Sequence, residues 1–340
     1  MSCRHTNWIH LSATESEAIL HVSGRPRRVL QQLQRDGGQN PIVIASLGAR
    51  GNFNLVCKLG IATHKLTQRR SFGSLHLHGI TSTFPPLALV IMEAHSPPLP
   101  RINASRITKA PCHDTKSISL SATPISRQPF QLVSHLQHYL VLPFADIYCM
   151  HVDDVGGLKA TLRILKLWSS LGSPSTNLYK PVLLLILKST TKSDILVNEV
   201  SKLQLGQLFS RIRFYSLDVH SSVLRSGKTR RSPYIHLQHE VVRLAKEVRV
   251  ERHALNHLYS AEHLLRFMEL RALFPREMEP FNPIITSRQY TRISSDIDTH
   301  LKEYLRRVIE GRDLRDNATS IVASCLLFDH YRQGMHRKSS

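Results

Sequence analysis

Apolar residues fall in short unbroken runs separated by polar turns, and the runs set the architecture. Residues 41–47 are apolar apart from Ser46, and Gly48 ends them. Similar runs at 86–92 and 181–187 read as strands buried on both faces. Further strand candidates lie at 144–152 and 212–219. Between these runs the apolar spacing turns helical. Val29, Leu30 and Leu33 predict a helix over 23–36, which Gly37 and Gly38 stop. Leu158, Leu162, Leu165 and Trp168 predict another over 158–171, and a third is expected at 197–210. Strands alternating with helices define an α/β class with a mostly parallel sheet.

The pattern changes after residue 218. Residues 234–274 keep helical spacing without an internal proline or glycine, and Pro275, Pro280 and Pro283 end it. Two further helices are expected at 296–310 and 314–330. The expected organisation is an N-terminal segment at 1–38 with one short helix, an α/β domain at 39–218 and an α-helical domain at 219–340. Residues 63–79 carry only a weak pattern. The stretch 96–128 is rich in serine, threonine and proline and is expected to be a long loop or disordered.

A strand that ends at Gly48 and passes through a polar turn into an amphipathic run at 55–59 is how a phosphate loop is built. The candidate nucleotide-binding residues are Gly48, Arg50, Gly51, Asn52 and Asn54. The loop is degenerate against G-x-x-x-x-G-K-[ST]. Phe53, Asn54 and Leu55 stand where the second glycine, the lysine and the magnesium-binding hydroxyl belong. At the end of the 86–92 run Glu93 is the sole acid available, and the aspartate that would orient magnesium is missing. Thr191, Lys192 and Asp194 fit [NT]-K-x-D, whose carboxylate accepts two hydrogen bonds from the guanine edge. A solvated loop is the competing reading. The cofactor of a working loop would be GTP or ATP with magnesium. Loss of the lysine argues against an enzyme; an active loop would be a GTPase-like hydrolase, and no residue nominates another catalytic site.

The formal charge of +20 favours nucleic acid, an anionic surface or an acidic protein as partner, against the plainer alternative of an ordinary basic surface. The densest basic stretch, 225–231, offers Arg225, Lys228, Arg230 and Arg231 as anion-binding residues. Gly227, Lys228 and Thr229 imitate the tail of a phosphate loop, but no apolar strand leads into them. His253, His257 and His263 could share a helical face, yet no H-E-x-x-H pattern accompanies them and no metal is expected. Asp153 and Asp154 suit a helix cap or a cation. Five cysteines without knuckle spacing read as reduced thiols of a cytoplasmic protein. No apolar run approaches the roughly 20 residues that cross a bilayer. No G-x-S-x-G elbow is present.

Several stretches, in order, resemble the P-loop region in front of the catalytic domain of large fungal patatin-like phospholipase proteins. They are 29–33 leading to 42–48, 143–148 with 154–157, 280–283, and 323–329. The resemblance spans most of the chain except 63–137. It implies a GTPase-like sheet with a helical extension, acting as a regulatory or sensing module through a protein partner. Gly48 and Gly51 carry over from that family's loop; the lysine, the hydroxyl and the strand-end aspartate do not. The patatin domain is absent, so the resemblance implies no lipase activity.

Overall fold

The computed structural model describes residues 6–13, 18–35, 40–48, 74–83, 86–94, 115–120, 129–176, 179–190, 193–218, 233–255, 257–273, 279–283, 285–286, 297–310, 320 and 322–323. Among these, nine strands form one mixed sheet. They are β1 (Asn7–Ala13), β2 (Ala18–Ser23), β3 (Ile42–Leu47), β4 (Ser74–Thr83), β5 (Pro86–Ala94), β6 (Thr115–Ser119), β7 (Ile147–His151), β8 (Val182–Leu187) and β9 (Arg211–Ser216). Their order across the sheet is β6-β2-β1-β4-β5-β3-β7-β8-β9. The half from β5 to β9 is parallel, and β4, β1, β2 and β6 continue it antiparallel.

Side-chain chemistry explains the two halves. β3 and β8 are buried at every position, so no polar face is needed and the runs read as continuous apolar sequence. β1 and β2 bury Ile9, Leu11, Leu20 and Val22 on one face and turn His10, Ser12 and His21 to the other.

Helices cover both faces. They are α1 (Arg25–Arg35), α2 (Pro129–Leu136, continued by a π-helical turn over Gln137–Val141), α3 (Val152–Val155), α4 (Leu158–Leu171), α5 (Ser193–Ser201), α6 (Pro233–Ala254), α7 (Ala261–Leu273) and α8 (Ile297–Glu310). One face of the sheet packs on α1, α2, α4 and α7, with Val29, Leu33, Leu132, Trp168 and Phe267 in its core. Trp168 is fully buried and donates its indole N–H to Ser134 O at 2.9 Å. The opposite face, over β3, β7 and β8, is covered by α6 through Leu237, Val241, Leu244, Ala245 and Val248.

Four sequence expectations change. The segment 1–38 carries β1 and β2 as well as its helix, and both strands join the sheet. The weakly patterned 63–79 contains the start of β4, whose histidines had hidden an ordinary alternation with Leu75 and Leu77. Within 96–128, Thr115–Ser119 is a strand rather than loop, because β2 offers it a full ladder. The nearly continuous helical pattern over 234–274 is divided between two helices, α6 and α7. The break follows Arg252, whose side chain is drawn into the interior and donates from Nε to His257 O at 2.8 Å, so that the chain turns without proline or glycine.

Candidate functional site

The parallel strands end together on one edge of the sheet. β3 lies between β5 and β7, so the chain crosses from one side of β3 to the other between those two strands. Open α/β sheets receive ligands at that reversal of strand order. Gly48 sits there, directly after β3, and donates its N–H to Ala94 O at 3.2 Å. Its φ is +99°, and a Cβ would stand 2.5 Å from Val155 Cγ2 and 3.0 Å from His151 O. Glycine is therefore required twice, by backbone conformation and by the approach of α3. Arg50, Gly51, Asn52 and Asn54 lie outside the described residues, as do Thr191 and Lys192.

A polar row flanks Gly48 on the α6 face of the sheet. Ladder register sets Glu93 of β5 against Ser46 of β3 on one side and His76 of β4 on the other. Glu93 is fully buried, and His78 Nε2 lies 3.5 Å from its Oε2. Thr6 Oγ1 lies 3.0 Å from His76 Nδ1. Ser46 Oγ is buried with no hydrogen-bond partner among the described residues. His151 closes the row at the end of β7. Burial lowers its pKa to about 4; Asp154 and Glu93 oppose the shift and Lys188 adds to it.

Asp153 and Asp154 do not cap a helix. Asp153 Oδ2 accepts the Lys188 backbone N–H at 2.8 Å, and Asp154 Oδ1 accepts from Lys188 Nζ at 2.6 Å. The second bond is the main reason that the lysine pKa is raised. Gly157, without a side chain, occupies the N-cap of α4. Asp194 falls in the first turn of α5 rather than in a loop, since that helix starts earlier than its apolar spacing implied. Glu93 is the penultimate residue of β5, and Asp153, Asp154, Asp194 and Asp218 follow the carboxyl ends of β7, β8 and β9, with Lys188 among them. These carboxylates would repel a triphosphate that arrived without a cation.

The histidines expected to share a helical face are separated. His253 is exposed near the end of α6, His257 lies beyond the break, and His263 stacks on Phe267 at 6.2 Å. Among the described residues no group of three His, Cys, Asp or Glu is placed to hold a metal ion. Arg225, Lys228, Arg230 and Arg231 lie outside the described residues. The sequence also passed over His76 and His78; their signal was alternation with Leu75 and Leu77.

No protein-family model matches this chain, and no curated protein is significantly similar. Among the described residues no helix is long and apolar enough to cross a membrane.

Proposed function

We propose that this chain is a degenerate P-loop, GTPase-like module that works by binding a protein partner and holds nucleotide weakly or not at all. The observation that carries the reading is Gly48. A glycine with left-handed backbone ends an interior parallel strand at the reversal of strand order, where a phosphate loop begins. The neighbouring chemistry supports the loss of turnover. Asn54 replaces the phosphate-binding lysine, Leu55 replaces the metal-binding hydroxyl, and Glu93 is buried beside a histidine. Losing the bridging cation weakens the transition state more than the ground state, so hydrolysis falls further than binding.

Retained phosphate contacts would come from backbone N–H groups at 48–54, and Asp194 would read guanine. Calorimetric titration with GTP and with ATP, each with and without magnesium, tests the proposal alongside a phosphate-release assay. Affinity weaker than roughly 100 μM without turnover is the expected result. Tight binding with magnesium-dependent hydrolysis would overturn it. The resemblance to patatin-associated regions supports a regulatory role in a cytoplasmic complex, and the partner would be a protein.

A further inference from the structure

Helix α4 carries Lys159, Arg163 and Lys166, all exposed, while Thr161, Ile164, Leu165 and Trp168 are buried beneath them. The spacing i, i+4, i+7 puts the three cations on one face along about 10 Å of helix axis. No acid occurs anywhere in α4. Arg163 is held with its guanidinium carbon 4.6 Å from the centroid of Phe130, which limits its freedom before any ligand arrives.

Several cations elsewhere on the described surface are paired with acids. Arg27 pairs with Glu269, Arg211 with Glu247 and Glu251, Arg243 with Glu240 and Glu247, and Arg306 with Glu303. Lys159, Arg163 and Lys166 make no ion pair with a described residue. On the neighbouring α5, Glu199 is bound to Lys202 at 2.6 Å and also feels Lys166. The stripe therefore keeps most of its positive field for an outside partner.

We propose that the α4 stripe is a docking face for the phosphate backbone of a nucleic acid. A membrane-surface helix would also present apolar side chains at its exposed positions. On α4 those positions hold Lys159, Arg163, Lys166 and Ser170, and the apolar residues face the core. Cations fixed on a rigid helix match a rigid array of phosphates, which positions a nucleic acid without reading its sequence. The proposal stands apart from the phosphate-loop reading, and neither needs the other.

The test is fluorescence anisotropy of the whole chain with a labelled duplex DNA and a labelled single-stranded RNA of about 20 nucleotides, between roughly 50 and 200 mM salt. K159Q/R163Q/K166Q is expected to weaken binding at least about tenfold and to flatten the log–log salt slope by roughly 2 to 3. R35Q/K246Q/K302Q removes the same charge from other exposed positions and is expected to change the slope by less than about 1. The double variant K159Q/K166Q leaves Arg163 on Phe130 and gives an intermediate loss, which separates the effect from misfolding. Three results overturn the proposal: no binding by the unaltered chain, equal losses in both triple variants, or an α4-dependent affinity for phosphatidylserine vesicles but not for either oligonucleotide.

Discussion

Arg252 of α6 reaches through the core to Asp146, the residue just before β7. Its Nη1 donates to both carboxylate oxygens of Asp146, at 2.7 and 2.8 Å. Asp146 Oδ2 also accepts the Val43 N–H at 2.7 Å, and the Asp146 N–H donates to Val43 O at 2.8 Å. Tyr179 and Tyr259 lie against the guanidinium at 5.5 and 5.0 Å. One ion pair thus ties the end of α6 to the start of the strand that delivers Gly48. Burial raises the Asp146 pKa, while Arg252 and the Val43 N–H pull it down. The pair therefore stabilises less than its geometry suggests, but removing half of it leaves a bare charge in the core.

Arg252→Met should destabilise the chain by about 3 to 5 kcal/mol. Asp146→Leu combined with Arg252→Met should recover part of that loss, because no orphaned charge remains. Urea unfolding of the two variants checks the order. A double variant no better than the single would mean that the Val43 and His257 hydrogen bonds matter more than the charges.

Lys188 and Asp154 show the opposite case. The lysine side chain is 60% exposed and the aspartate 11%. Water screens such a pair, so Lys188→Ala should cost less than about 1 kcal/mol despite a 2.6 Å contact. A loss comparable to that of Arg252→Met would show that Lys188 has a structural role beyond this pair.

Gly48→Ala tests the turn that begins the loop. The added Cβ meets Val155 Cγ2 at 2.5 Å, and φ of +99° disfavours any L side chain. A loss of roughly 1 to 3 kcal/mol is expected. Val155→Ala in the same chain should relieve the contact but not the backbone strain, so rescue should be partial. Complete rescue would locate the cost in the side-chain clash alone.

The sequence was most legible where burial is two-sided. β3, β8 and α4 follow from unbroken apolar runs and one clean helical stripe, since every position there answers to the core. β1, β2 and β4 are obscured because their polar face is made of histidines and serines, which hide a period of two, and β6 is polar apart from Ile118 and exposed over its first three residues. His10 and His21 stand opposite each other on β1 and β2, with Ser12 and Ser117 bonded to His21. Such a network has no short sequence signature; it arises from strands distant in sequence. The end of α6 was missed for a related reason, since the partner that draws Arg252 inward lies 106 residues away. Of the site, the sequence pointed to Gly48, Glu93, Asp153, Asp154 and Asp194, but not to Asp218 or to the buried histidines His76, His78 and His151 beside Glu93.

Two buried histidines should make the fold acid-sensitive. Burial lowers the pKa of His138 and of His151 to about 4, from an ordinary 6.5. His138 sits at the π-helical turn with its Nε2 2.9 Å from Gly172 O, and His151 at the carboxyl edge beside Glu93 and Asp154. Between pH 4 and pH 6.5 the unfolded chain binds protons that the folded chain refuses. Their contribution is whole above the upper limit and is lost as pH falls through that window. Each shift corresponds to about 3 kcal/mol at most. Unfolding free energy measured from pH 7 down to pH 4 should therefore fall with a slope approaching two protons, on the order of 2.7 kcal/mol per pH unit. His151→Asn removes one titrating group from the edge and should roughly halve that slope, whatever it does to stability at pH 7. A slope that the substitution leaves unchanged would mean that His151 keeps its proton in the fold, and the acid sensitivity would belong to His138 and the histidines of the antiparallel strands.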